Sequence, residues 1–269
     1  MGEAPRRIQG KTIEKMNIFG GCTAVHTRLV RGLLIGSFGL ATLLSGGASA
    51  APITKTVTLQ VYQFCDDAGF NCASIGPGGN AYFANETNKI WSQAGISVGF
   101  NFVGQINSTH FSNINESDDG DGFADLHSAY GSGGPSANTV DMFLVHTIAG
   151  AYGEGWLGAG GFLIAMDTVM AFNGGLGRID TIAHELGHNL GLDHSAVADQ
   201  LMASGNVRSV PATLADINPD GLGLDKISAA QINIARGSSL LSDVPEPFSM
   251  ALVGSGMLAV VLIRRRRRA

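Results

Sequence analysis

The sequence has 269 residues, of which 45% are hydrophobic and 14% are charged, a composition typical of a globular protein. Residues 51–243 contain 6 Lys and Arg against 19 Asp and Glu, a formal charge of −13, whereas the whole chain has −5. This acidic balance argues against nucleic acid as a partner and suits an exported protein that binds cations.

The N-terminal region has the layout of a secretory signal peptide. Arg28 and Arg31 precede an apolar run over residues 33–44, and the small residues 48–50 follow it. The run is shorter than the roughly 20 residues that a membrane-spanning helix needs. We therefore expect residues 1–50 to be an N-terminal extension and signal peptide that directs the protein to export.

Hydrophobic periodicity predicts alternating strands and helices in residues 51–242. In chain order we first expect a strand at 55–64, a helix at 79–94 and a strand at 96–104, followed by an exposed loop or short-helix insertion at 105–137. A strand at 138–148, a glycine-rich edge around Trp156 and a buried strand at 162–166 come next. The chain then forms a helix through "RIDTIAHELGHNLGL" and a last helix at 228–236. No repeat or linker divides this part of the chain, so the order predicts one α+β domain.

Two cysteines remain after the predicted signal. Cys65 and Cys72 enclose the short segment "CDDAGFNC". In an oxidising compartment this spacing favours a small disulfide loop, and two buried free thiols are the alternative.

The stretch "HELGHNLGLDH" has the spacing of a catalytic metal site. On a helix His184 and His188 project from one face about a turn apart, so both can bind one ion. Glu185 is rotated by about 100° around the axis and can reach a water molecule. Gly191 can end the helix in a left-handed conformation and let His194 return. Three imidazoles leave one open position, which is typical of catalytic zinc.

This motif, His-Glu-x-x-His-x-x-Gly-x-x-His, is similar to that of the metzincin metalloproteases. Met202, eight residues after the last histidine, stands where metzincins carry a methionine in a tight turn beneath the metal. The resemblance covers about residues 55–241. It implies a metzincin-like catalytic domain with a mixed, twisted sheet, an active-site helix and a C-terminal helix.

The resemblance also implies roles for individual residues. His184, His188 and His194 would bind zinc, and Met202 would support the site without ligating. Glu185 would be the general base, taking a proton from the attacking water and passing it to the leaving amine.

The resemblance also implies where the substrate would lie and whether a side chain would occupy the fourth ligand position of the metal. A peptide or protein substrate would lie extended beside a glycine-rich edge strand near residues 156–161. Some metzincins have a tyrosine two residues after the methionine, but Ser204 stands there, so no such ligand is expected.

Two acidic loops have some features of calcium sites. The first contains Asp119, Asp121, Gly122 and Asp125. The second runs Asp216-x-Asn218-x-Asp220-Gly and is the better match. Neither has an acidic residue at the twelfth position, so solvated turns are the alternative to calcium as a second cofactor.

The C-terminus combines Val244-Pro245-Glu246-Pro247, an apolar stretch over 248–263 and five arginines at 264–268. The order resembles the PEP-CTERM sorting signal of bacterial exported proteins. It implies transient anchoring in the inner membrane through residues 243–269, processing by exosortase-type machinery, and a final place at the cell surface or in the extracellular matrix.

These features predict an exported zinc endopeptidase. One alternative is a surface or matrix protein that uses the zinc site for binding or self-processing. Another is a zinc amide hydrolase that acts on cell-wall material. Glu185 favours an enzyme, since a binding protein has no need of a base beside the ligands.

Overall fold

The computed structural model describes residues 50–115, Leu126 and residues 138–244. Nearly all of the predicted signal peptide, the whole first acidic loop around Asp119 and the predicted sorting signal from Pro245 onward lie outside these residues. Within the described part, no helix is long and apolar enough to span a bilayer.

The sheet is mixed and mostly parallel, which confirms the predicted fold class. The strands are β1 (Lys55–Cys65), β2 (Ile96–Asn107), β3 (Asn113–Ile114), β4 (Thr139–Val145), β5 (Thr147–Ile148), β6 (Gly153–Gly155), β7 (Gly161–Ala165) and β8 (Ser242–Asp243). The main sheet has the order β2-β1-β4-β7-β6, with β2, β1, β4 and β7 parallel. β6 is antiparallel to β7 and stands at one edge, β8 pairs antiparallel with the start of β1, and β3 pairs with β5.

The helices lie outside the sheet. Those with bounds in the described residues are α1 (Ala84–Ser92), α2 (Thr109–Ser112), α3 (Met166–Ala171), α4 (Thr181–Asn189) and α5 (Ala229–Arg236), with single 3₁₀ turns at Ala81–Phe83, Phe172–Gly175 and Leu214–Asp216. α4, the predicted active-site helix, packs against β6 and β7 and touches α1.

Each face of the sheet has its own apolar core. On one face Val57, Ile164, Trp91 and Leu186 belong to the larger core, which joins the sheet to α1 and α4. On the other face Phe143 belongs to a smaller core that includes Leu126. β4 and β7 are buried on both faces, which explains their continuous apolar runs.

Two predicted elements are shorter than expected. The helix predicted at 79–94 becomes a 3₁₀ turn followed by α1, because Tyr82 and Phe83 have positive φ angles of 61° and 49°, incompatible with a right-handed helix. The strand predicted at 138–148 is interrupted at His146. Its ring lies between two acceptors, the carboxylate of Asp167 and the carbonyl of Asn71.

His146 holds the loop that follows β1 through its contact with the carbonyl of Asn71. Cys65 and Cys72 form a disulfide across that loop, and Asp167 also accepts from the backbone N–H of Ser74. Burial lowers the pKa of His146, but the bonds to Asp167 and to the Asn71 carbonyl outweigh it and hold the pKa above its usual value.

The start and end of the described domain meet at α5. Arg236 donates to the carbonyl of Ala94 at 2.7 Å and to the hydroxyl of Thr54 at 2.9 Å. Ser228 begins the helix as its N-cap, accepting from the backbone N–H of Gln231. These bonds hold α5 against the start of β1. The strand β8 also pairs with the start of β1.

Candidate metal centre

The three predicted histidines converge at the end of α4. His184 and His188 lie on the helix four residues apart, and Gly191, with φ of 93°, turns the chain directly after it. His194 then returns, so that one nitrogen of each ring lies within 4.8 Å of the others. In the described part of the chain, this is the group of side chains that could hold a metal ion.

Backbone carbonyls set the orientation of two of the rings. Nδ1 of His184 lies 2.7 Å from the carbonyl oxygen of Leu201, and Nδ1 of His188 lies 2.8 Å from that of Leu192. Because a carbonyl can only accept, each Nδ1 carries the proton and donates it. Nε2 of each ring is then left with a lone pair for a metal, as in many zinc sites.

All three rings favour the neutral form that a metal requires. Burial, followed by the charge of Arg208, keeps the pKa of His184 well below its usual value. Burial and then the nearby His194 lower the pKa of His188 to about 4, and burial lowers that of His194. Three neutral imidazoles with an open fourth position are the donor set of catalytic zinc, so these residues fit that ion.

Glu185 is buried beside the histidines. Burial raises its pKa to about 8, against the opposing effect of the positive charges of Arg208 and Arg178. The edge strand β6 lies directly on this side chain: a Cβ on Gly153 would stand 2.7 Å from its Cγ, and one on Gly155 would stand 3.1 Å from its Oε2. The absence of side chains at these two positions makes room for the carboxylate.

We expect Gly153→Ala to lower any hydrolytic activity by about 100-fold, because the new methyl group would displace the Glu185 side chain by a fraction of an ångström or more. Zinc content should stay at the wild-type level, since the histidines are not touched. Gly104→Ala is the matched control in the opposite edge strand, β2, where a Cβ meets nothing within 4 Å. Steady-state cleavage rates and metal analysis test this, and equal rates for the two variants would contradict it.

Met202 lies against the active-site helix. It is fully buried, and a Cβ on Gly187 would come within 2.4 Å of its Sδ. Its carbonyl accepts from the backbone N–H of Ser195, which directly follows His194. Ser204 is bonded through its backbone N–H to the carbonyl of Ser195. Met202 thus packs against α4 at Gly187, between the first and second of the three histidines.

The glycine-rich edge strand is displaced from its predicted position. The strand spans Gly153–Gly155, and most of the predicted segment 156–161 is a turn, with only Gly161 in a strand, β7. The amide of Asn189 donates to the carbonyls of Trp156 at 3.1 Å and Gly161 at 2.9 Å, fixing this turn to the end of α4. Sequence alone did not single out Asn189, Gly153 or Gly155, since no local pattern shows what they face.

The side chains of the second acidic loop have protein partners. Asp216 caps a 3₁₀ turn by accepting from the backbone and hydroxyl of Thr213. The amide of Asn218 donates to Gln93 at 2.7 Å, and Asp220 pairs with Lys89 at 2.7 Å. Calcium binding at this loop stays a prediction, and an ion there would have to compete with these bonds.

A buried charge cluster adjoins the first histidine and was missed from sequence. Arg208 lies between Asp180 and Asp225, and Arg178 approaches Asp180 at 3.9 Å. Arg178 also stacks on the ring of Tyr152, 4.6 Å from its centroid. The only local signal was Asp180 just before α4, a position favourable for an acidic residue.

Residues 78–195 match the model of the reprolysin-like metallopeptidase family M12B. The matched segment runs from the turn before α1 through the third histidine. No curated protein sequence matches the chain. The family match and the three-histidine group together support a zinc peptidase.

Three solved structures show partial similarity to this chain. Metalloproteinase-II from Bacteroides fragilis is 12% identical with a TM-score of 0.42, covering 71% of this chain and 53% of its own. A chaperone–substrate complex is 17% identical with a TM-score of 0.42, covering 70% and 35%. Archaemetzincin from Methanopyrus kandleri is 12% identical with a TM-score of 0.40, covering 67% and 94%. The chain spans about half the length of the first.

Proposed function

We propose that this protein is a zinc-dependent endopeptidase of the metzincin type. The observation that carries the proposal is the convergence of His184, His188 and His194 beside a buried carboxylate, Glu185. The reprolysin-like family match over residues 78–195 supports the same reaction class. A purely structural zinc site would close all four positions with protein ligands and would need no base.

Zinc and Glu185 would have different parts in the reaction. Zinc, when bound, would lower the pKa of water and polarise the peptide carbonyl. Glu185 would accept the proton from the water as its oxygen attacks the carbonyl carbon. It would then deliver that proton to the amide nitrogen as the carbon–nitrogen bond breaks, releasing a carboxylate and an amine.

The substrate would lie along β6. This strand is the last of the sheet order in the described part of the chain, and its glycines face Glu185. An extended peptide added beside it would gain backbone hydrogen bonds and would bring a peptide bond close to the base. We therefore propose residues 153–155, and not 156–161, as the edge beside which the substrate would lie.

We further propose that the domain, residues 51–242, works outside the cytoplasm. The signal-like segment within residues 1–50 and the PEP-CTERM-like segment within 243–269 support export and exosortase-type sorting to the surface or matrix. The disulfide between Cys65 and Cys72 is compatible with an oxidising compartment.

The proposal is tested by metal removal from the purified full-length chain. We expect one zinc per chain and cleavage of an unstructured protein, loss of cleavage after chelation, and recovery with Zn²⁺ but not with Ca²⁺. The endopeptidase proposal fails if the zinc-loaded chain cleaves nothing across a broad peptide library. Cleavage confined to its own chain would favour self-processing, and cleavage confined to amides of cell-wall fragments would favour the amide hydrolase.

A further inference from the structure

Arg208 is buried between two carboxylates and the first predicted metal ligand. Its side chain is 2% exposed, and those of Asp180 and Asp225 are 0% and 1% exposed. Nη2 lies 2.8 Å from Oδ2 of Asp180 and 3.5 Å from Oδ1 of Asp225, and Nη1 contacts Nδ1 of His184. One guanidinium therefore pairs with both acids and contacts the imidazole.

The cluster joins three parts of the chain that are distant in sequence. Asp180 directly precedes α4, and its carbonyl accepts from the backbone N–H of His184 at 3.0 Å. Arg208 lies six residues after Met202, and Asp225 lies shortly before α5. Apart from one 3₁₀ turn at Leu214–Asp216, the chain between His194 and α5 contains no helix or main-sheet strand. The guanidinium fastens this irregular segment to the start of the active-site helix.

Stability by itself gives little reason for such an arrangement. Desolvating a buried ion pair costs about as much as its attraction returns, and apolar side chains of similar volume often serve equally well. The planar fork of an arginine is suited to hold several partners in one fixed geometry, which a lysine ammonium is not. A buried arginine at this place is therefore best explained by what it touches, the His184 ring.

We propose that Arg208 is a positioning residue for the metal ligand His184. Held by Asp180 and Asp225, the guanidinium blocks rotation of the imidazole away from the Leu201 carbonyl. It has donors only, so it cannot bond an Nδ1 that already carries a proton, and it acts by filling the space beside the ring. Nε2 is thereby kept directed toward the other two histidines. This inference rests on the proposed zinc site.

The test compares Arg208→Lys and Arg208→Met with Arg236→Lys, all in the full-length chain. Arg236 is the matched control because it also ties distant segments together but lies at Ala94 and Thr54, away from the histidines. Affinity for Zn²⁺ is measured by competition with a chelator, and the visible absorption spectrum of the Co²⁺-loaded chain reports ligand geometry. Melting temperatures are recorded for each variant.

We expect about 10- to 100-fold weaker Zn²⁺ binding and a changed Co²⁺ spectrum in Arg208→Lys, the usual size of effect for residues that orient metal ligands. Arg208→Met should lose at least as much, and Arg236→Lys should keep the wild-type affinity and spectrum even if it melts earlier. If Arg208→Met does not fold, Arg208→Lys decides.

Wild-type affinity and spectrum in Arg208→Lys would overturn the inference, and so would an equal loss of affinity in Arg236→Lys, which would point to general loosening of the fold. If the wild-type chain binds neither metal, the proposed function and this inference both fail. If the wild type binds zinc and cleaves peptides while Arg208→Lys binds normally, only this inference fails.

Discussion

Glu185→Gln should reduce peptide cleavage by about 10²- to 10⁴-fold, the usual contribution of a general base, while one zinc per chain is retained. Glutamine has nearly the same shape as glutamate, so the packing of β6 against this side chain should persist. The amide cannot accept the proton of the attacking water. Cleavage rates at saturating zinc, together with metal analysis, measure both effects.

The matched control for this variant is Glu86→Gln. Glu86 is also buried, in α1, where it accepts from the amide of Asn80 at 2.6 Å. A glutamine there can still accept through its carbonyl oxygen, so the cleavage rate should be unchanged. If Glu185→Gln cleaves as fast as Glu86→Gln, Glu185 is not the general base, and the proposed mechanism is wrong.

His194→Ala should weaken zinc binding by more than about 100-fold, beyond the range expected when only an orienting residue is changed. The reason is that one of three converging nitrogens is removed and two remain. His194 lies outside α4, so the helix and its core should be little affected. Chelator competition gives the affinity, and circular dichroism shows whether the fold persists.

His110→Ala serves as the control for His194→Ala. His110 is an exposed histidine in α2 whose ring makes an edge contact with Phe111, and it is not part of the metal group. We expect this variant to bind zinc as the wild type does. Full zinc retention in His194→Ala would remove the third ligand from the proposed site and leave only His184 and His188.

Much of the fold could be predicted because the signals are local. Period-two alternation located β1, apolar runs located β4 and β7, and helical spacing located α4 and α5. Errors arose where a tertiary contact or an unusual backbone angle overrides the pattern. The backbone at Tyr82 and Phe83 leaves the helical region, and His146 ends a strand where it is held by Asp167.

The edge strand β6 shows why the proposed substrate-binding edge of the sheet was harder to predict than the histidines. A run rich in glycine has no hydrophobic period, so the sequence does not indicate which glycines form the strand and which form the turn. Gly153 and Gly155 become distinctive only when β6 lies against Glu185. The turn at Trp156 is held by the amide of Asn189 and the carbonyl of His188, both more than thirty residues away from Trp156.

What the sequence by itself determined is the set of three converging histidines and the carboxylate beside them. Spacing along one helix and one glycine turn is enough to bring His184, His188 and His194 together, because helix geometry is local and nearly invariant. Only the tertiary structure decided what surrounds them: the glycines over Glu185, the carbonyl of Leu201 and the buried guanidinium of Arg208. These contacts join residues far apart in the chain, and their partners depend on how sheet, helix and loop pack, which no local spacing encodes.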